Sequence, residues 1–343
     1  MPSIEILLGV ILVGALTLYL LFGIADFGAG IWTLFAQGSL GAAQRALIDR
    51  AIGPIWEANH VWLIIVVTIL FTAFPGAFSL ISTRLHIPLT IMLIAVVFRG
   101  TAFAVRTHDV APRTDGRQDR WRWIFHSIFS ASSLVAPSML GLTLGAVASG
   151  RVLGPTGSFY DAFVAPWLAP FPLIVGLLTA ALAAYLAAVY LLIESRVPTL
   201  TSLFRRRAVA TWIIVAWLGS TALYTAREGA PEIYHGLTGT GWGLATLLIT
   251  MVVNVAALVC LLVERHYIAR LLAATGASAT VWGWAGAQFP YLVEPTVTIY
   301  NAAPSETLQL LFFSLFVGFI VLTPFLWYLY RLFKGHVFTP AGE

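Results

Sequence analysis

Charge is what this chain has least of. Only 10% of its 343 residues are Asp, Glu, Lys or Arg, where soluble domains carry roughly 25%. With 59% hydrophobic residues and a mean hydropathy of +0.89, that scarcity excludes a soluble globular protein. The apolar runs cover the whole length, which also excludes a soluble domain on a single anchor. Cysteine is nearly missing. One residue, Cys260, cannot form an internal disulfide or a thiolate metal site, and reads as a small packed apolar side chain. Basic residues are scattered over short loops, so the formal charge of +4 does not describe a nucleic-acid-binding surface. A Gly-rich phosphate loop, a Ser/His/Asp set and zinc-ligand spacing are also missing, which leaves no sign of independent hydrolytic chemistry.

What is present is a series of long apolar runs. Nine spans read out at about 4–35, 54–74, 78–105, 122–148, 162–194, 206–227, 239–263, 270–292 and 307–333. Each reaches the ~20 residues that ~30 Å of hydrocarbon requires; the first, fifth and ninth exceed it and must tilt or project. The first run, Ile4 to Phe35, is too long for a signal peptide and has no small-residue cleavage site, so it reads as a mature span. With the N-terminus outside and the C-terminus in the cytoplasm, all the Lys and Arg residues except Arg84, Arg99, Arg151 and Arg227 fall on inner segments or helix ends. That is the positive-inside bias, and it requires the eighth span, although that run is rich in Gly, Ala and Thr. Trp121, Trp123, Trp167, Trp327, Tyr328 and Tyr330 sit near span ends as an interfacial aromatic belt. The inner loop Thr107 to Arg120 is the most charged piece and reads as a solvated linker.

The fold expected is therefore an all-α polytopic membrane protein, a single transmembrane domain over residues 1–343. A short echo links Phe71-Thr72-Ala73-Phe74-Pro75 with Ala287-Gln288-Phe289-Pro290-Tyr291. It hints at two four-helix bundles, about 4–148 and about 162–292, with an extra helix at about 307–333.

Against this apolar background the segment Gly53-Pro54-Ile55-Trp56-Glu57-Ala58-Asn59-His60-Val61-Trp62-Leu63-Ile64 stands out. It gathers a carboxylate, an amide, an imidazole and two indoles at the mouth of one span. Each such group is costly in hydrocarbon unless paired or wetted, and a helix that only anchors has no need of them. Asp26 lies in the first span, flanked by Gly23, Gly28 and Gly30; glycines of this kind let a neighbouring helix come close. Arg99 lies in the third span. At 1.5 Å per residue, Asp26, Glu57 and Arg99 all fall in the cytoplasmic half of the membrane. Two acids and one arginine at similar depth on three consecutive helices describe a proton path, with Asp26 and Glu57 as carriers and Arg99 as their charge partner. They also describe an ion pair that locks three helices, and one set of residues can do both. Trp56, Asn59, His60 and Trp62 would shape the path and its packing. His60 and His126 share the cytoplasmic depth needed for a pair of axial haem ligands, although hydrogen-bonded polar histidines explain them more simply. An independent proton-coupled transporter could use the same acids. Transporters, however, place their sites near the midplane on broken helices, and here the polar groups crowd toward one face.

The blocks G-x-x-D-F-G-x-G at 23–30, G-P-I-W-E-A-N-H-V-W-L-I at 53–64, F-R-G-x-A-F at 98–103 and A-Q-F-P-Y-L at 287–292 together resemble subunit II of cytochrome bd-type quinol oxidases, in order and spacing along the full chain. The resemblance implies a heterodimer with a larger subunit I. That partner would carry two b-type haems, a d-type haem and the quinol-oxidising loop, and a small single-span accessory subunit can join. This chain would bind no haem firmly, could hold a structural quinone in a lipid-facing cleft, and would contribute to proton delivery while the complex oxidises quinol and reduces O2 in a bacterial cytoplasmic membrane. The motif acids map to Asp26 and Glu57, the latter an Asp in many members, and the arginine to Arg99. Ile24-Ala25 stands where many members have Gly-Phe.

Overall fold

The computed structural model describes residues 3–53, 56–108 and 117–338. Pro54 and Ile55 of the polar segment, and 109–116 of the charged inner loop, lie outside the described residues. The chain opens with α1 (Ile4–Leu18), a π-helical stretch (Tyr19–Ile24) and α2 (Ala25–Leu34), which form one continuous rod. Then come α3 (Gly41–Ile52), α4 (Trp56–Asn59), α5 (Val61–Ala73), α6 (Pro75–Arg84), α7 (His86–His108) and α8 (Arg117–Ala148). A 3-10 turn (Arg151–Leu153) and α9 (Phe159–Phe163) lead into α10 (Pro170–Glu194), α11 (Pro198–Gly229), α12 (Pro231–Gly239), α13 (Gly241–Leu262) and α14 (His266–Gln288). A short antiparallel hairpin, β1 (Tyr291–Val293) and β2 (Val297–Thr298), precedes the last helix, α15 (Ser305–Phe338).

Among the described residues, eight helices are long and apolar enough to cross a membrane, and the architecture is the expected all-α polytopic one. The helix α14 has 23 residues but is less apolar, carrying Arg270 and its run of Gly, Ala and Thr. Three expected spans are interrupted. The run 78–105 breaks at Leu85, because Pro88 has no N–H and its ring collides with the carbonyl four residues back, that of Arg84. The run 162–194 breaks between α9 and α10, where Ala169 is extended, as a residue before proline prefers, and Pro170 starts a new helix. The run 54–74 breaks at His60, between α4 and α5.

Helix α10 is the centre of the stack and packs on α2, α8, α11 and α14. Small residues make this possible. A Cβ on Gly28 would fall 1.8 Å from the Ala183 carbonyl oxygen of α10, and one on Gly30 would fall 2.1 Å from Ser133 Oγ of α8. The indole of Trp32 then donates to the Ala184 carbonyl at 2.8 Å, tying α2 to α10. One apolar cluster runs from Tyr19 through Phe27, Phe129 and Ala183 to Leu261 and Ala277. A second, around Leu8, Phe74, Val152, Val293 and Leu308, fills the opposite end beneath the hairpin. Helix α3 covers the end where α2 finishes. By contrast α11, α13 and α15 leave most of their apolar surface outside the core.

Replacing Gly28 by valine is expected to lower the thermal midpoint of the detergent-solubilised protein, at an overpacking cost of about 1–3 kcal/mol. A midpoint equal to that of the unchanged chain would show that α2 and α10 are not pressed together there.

Candidate functional site

Asp26 opens α2 directly after the π-helical stretch Tyr19–Ile24. A π turn takes one residue more than an α turn, and such turns are frequent at functional sites. Here the ring of Tyr19 folds over Gly23, where a Cβ would fall 2.5 Å from the ring atoms. Gly23 thus makes room for its own helix and not, as expected, for a neighbour; Gly28 and Gly30 do meet neighbours.

Two side chains converge on Asp26 from other helices. Asn59, buried on α4, donates from Nδ2 to Asp26 Oδ2. Arg99 on α7 is 1% exposed, and its Nη2 donates to the main-chain carbonyl of Asp26 at 3.0 Å. Its guanidinium lies 4.5 Å from the centre of the Phe27 ring and 5.3 Å from that of Phe129. The negative faces of these two rings replace part of the water that the charge has lost, while Nε remains without a partner.

His60, at the break between α4 and α5, completes the cluster. Its ring is 6.0 Å from Tyr19, 5.9 Å from Phe27 and 6.2 Å from Trp56. Trp56 also meets Phe103 at 5.7 Å and lies over Gly100, where a Cβ would come within 3.1 Å of the indole. The glycine of the F-R-G block is therefore what lets Trp56 lie against α7. Trp62 is one turn away and stacks on Phe319 of α15. Of the expected acids, Asp26 sits inside the cluster, while Glu57 is exposed on α4. His126 lies half-buried on α8.

Beside this cluster α3 is fastened by two arginines. Arg106 of α7 pairs with Asp49 at 2.8 Å. Arg207 of α11 donates to the Phe35 carbonyl and to Gln44 Oε1, each at 2.9 Å, with its guanidinium over Trp32. Burial pushes the Asp49 carboxyl above the usual carboxylate range, and the guanidinium of Arg106 pulls against that shift. In the sequence Arg106 and Arg207 registered only as part of the inner positive bias. Nor did the sequence reveal Tyr19, Phe27, Phe129 or Gly100 as parts of the site. The one available signal was the adjacency of Phe27 to Asp26 and of Gly100 to Arg99.

A stack of long apolar helices that gathers a buried arginine, a buried asparagine and a half-buried aspartate near one end has the character of a polytopic membrane protein. The family described as cytochrome bd terminal oxidase subunit II matches residues 4–333, and the chain belongs to that family. It is 24% identical over 335 residues to a putative cytochrome bd menaquinol oxidase subunit II of Bacillus subtilis (strain 168), spanning 93% of this chain and 92% of that protein. It is 25% identical over 197 residues to cytochrome bd-I ubiquinol oxidase subunit 2 of Escherichia coli (strain K12), a match over 54% of this chain and 46% of that one. The solved structure of bd oxidase from Geobacillus thermodenitrificans aligns with a TM-score of 0.77 at 24% identity, covering 97% of this chain and 99% of that chain, and so shares the fold. The independent transporter finds no support in this membership.

Replacing Arg99 by leucine is expected to cut the yield of folded chain in membranes several-fold. Lysine should restore it only in part, because an ammonium cannot lie flat against two rings. A normal yield of the leucine variant would contradict a structural role for this residue.

Proposed function

We propose that this chain is the non-haem subunit II of a bd-type terminal quinol oxidase in a bacterial cytoplasmic membrane, giving the complex its structure and a proton route from the cytoplasmic side. The observation that carries the reading is the meeting of Asp26, Asn59 and Arg99 from three separate helices. In the complex, a larger subunit I would hold the b- and d-type haems, which supply the electron transfer and the O2 reduction, and a small single-span subunit would complete it. The reaction is electrogenic in this reading because protons travel partway across the membrane while electrons remain in the partner; this chain alone would not turn over.

The work of this chain's own residues follows from their geometry. Glu57, exposed on α4, takes up a proton at its carboxylate from water. Asp26 receives it deeper in, its carboxylate oriented by the Asn59 amide. The fixed positive charge of Arg99 offsets negative charge at Asp26, and Trp56, His60 and Trp62 wall the route. Haem is no part of this chain's role in this reading; the His60 ring packs among Tyr19, Phe27 and Trp56. In this reading α14 also crosses the membrane, which makes nine spans with the N-terminus outside.

A groove of about 610 Å³ between α5 and α15 is lined by Val61, Ile65, Leu315, Gly318, Phe319 and Leu322 among others, with Ser314 as its polar member. Its apolar lining suits the isoprenoid tail of a structural quinone and offers little to a polar headgroup.

Glu57→Gln and Asp26→Asn are each expected to slow O2 consumption by the purified complex, on the order of 10²-fold as for loss of a proton-transfer group, with the haem spectrum intact. Unchanged turnover in both would defeat the proton route. Filling the groove with Gly318→Leu, a position with nothing within 4 Å of a new Cβ, should reduce co-extracted quinone while O2 consumption persists. Retention of the full quinone content would place it elsewhere.

A further inference from the structure

At the hairpin end, far from Asp26, the chain buries a carboxyl group that nothing above uses. Glu294, in the turn between β1 and β2, is 3% exposed, and its Oε1 is buried without a hydrogen-bond donor. Gln288, at the end of α14 and 4% exposed, donates from Nε2 to the Leu292 carbonyl at 3.1 Å. Its Oε1 is buried and lacks a donor as well. One short stretch of chain therefore holds two buried acceptor oxygens and supplies donors to neither. A buried polar atom without a partner is costly, and a buried unpaired charge costs far more.

The surroundings offer no remedy for a negative charge. The neighbouring Val293 and Val152 are fully buried in one apolar cluster with Phe74 and Leu308. Gly150, at φ 67°, brings the end of α8 so close that a Cβ on it would lie 3.1 Å from the Glu294 carbonyl oxygen. Arg84 at the end of α6 is committed to other oxygens, with Nε on the Val152 carbonyl and Nη2 on the Gly154 carbonyl, both at 2.8 Å. The remaining ionisable groups on the elements around the hairpin include the half-buried Glu5 on α1, His86 on α7, Arg151 on the 3-10 turn, Glu232 and His235 on α12, Tyr291 on β1, Tyr300 after β2 and Glu306 on α15. The α8 and α14 ends that meet the hairpin carry none. Arg151, Glu232, His235 and Glu306 are exposed.

We propose that Glu294 holds a proton in the folded protein, and that this proton, donated to the Gln288 side-chain oxygen, fastens the hairpin against the end of α14. The protonated carboxyl turns an acceptor into a donor where donors are missing, and it removes a charge from an apolar setting. Burial, reinforced by the like charge of Glu232, pushes this carboxyl up to about 7. Because the folded state then binds the proton more tightly than the unfolded chain, the stabilisation is full in acid. It declines as pH rises from the ordinary carboxylate range to about 7, and stays flat above that.

The test is infrared difference spectroscopy of the purified intact complex, stepped from acid to alkaline pH, with thermal midpoints measured on the same samples. A protonated-carboxyl band that fades near neutrality, missing in Glu294→Gln, is the result expected. The midpoint of the unchanged protein should fall over the same pH range, and that of Glu294→Gln should hold steady. An ionised Glu294 throughout, with no carboxyl band to lose, would overturn the proposal. So would a stabilisation by added calcium that disappears in Glu294→Gln, which would assign the two oxygens to a cation. Should Glu294→Gln fail to assemble, Gln288→Leu serves instead: the band should remain and move to higher frequency, and an unmoved band would exclude Gln288 as the acceptor.

Discussion

A guanidinium that leaves water must be surrounded before anything else near it can be arranged, and the packing near Asp26 follows from how Arg99 is surrounded. The cost of burying such a charge is several kcal/mol even after relaxation. Two rings and a main-chain carbonyl meet it, and each comes from a helix that must be held in place. Phe27 and the Asp26 carbonyl belong to α2, and Phe129 to α8. The close approach of α2 to α10 and α8 at Gly28 and Gly30 is thus more than tight packing, because it sets the position of the groups on which the buried charge rests.

The same logic explains why the polar segment is interrupted. A continuous helix from Trp56 onward would carry Trp56, Asn59 and His60 in one fixed rotation. The break at His60 separates the short α4 from α5, and in that arrangement Asn59 reaches Asp26 while Trp56 lies over Gly100. On the opposite rod, the π turn before Asp26 does comparable work, folding Tyr19 back over Gly23 toward His60. Irregular backbone occurs on both sides of one cluster, at a membrane depth where it is tolerated only when buried in protein or lining a wetted cavity.

Much of this was legible in the sequence, and the limits have physical causes. The long apolar runs fixed the class, and the polar groups in three of them identified Asp26, Asn59 and Arg99 as residues that require partners. Hydropathy could not see the breaks at Leu85 and between α9 and α10, because Leu, Ala and Pro are apolar whether or not the helix continues. Nor could it distinguish Gly23 from Gly28, since a missing side chain looks the same whether it admits another helix or the ring of its own. The aromatic surroundings of Arg99 were hidden for a similar reason: in a chain with 22 Phe residues, no pattern marks Phe129 as the one that faces a cation. The burial of Glu294 was equally hidden, because burial of a turn is a property of what packs over it.

The distribution of exposed surface bears on why such a chain would work with a partner. Its charges are settled internally at Arg99, Arg106 and Arg207, each with acceptors or rings from other helices of the same chain. Its apolar surface is not settled: Phe313, Phe316, Ile320 and Phe325 of α15 and Ile64 and Phe71 of α5 all remain exposed. In water such a surface would drive aggregation; in a membrane, lipid tails cover it without a hydrophobic driving force, and association must come from shape and from polar contacts. Glu57, at the start of the same α4–α5 segment and exposed, is the one carboxylate of the polar segment left outside the cluster. Glu57 is exposed and Asp26 only half-buried, so the two acids meet water to different extents. The arrangement thus joins the half-buried Asp26 to the buried Asn59 and Arg99 through polar contacts within the chain and leaves Glu57 on the surface, where only groups outside this cluster can meet it.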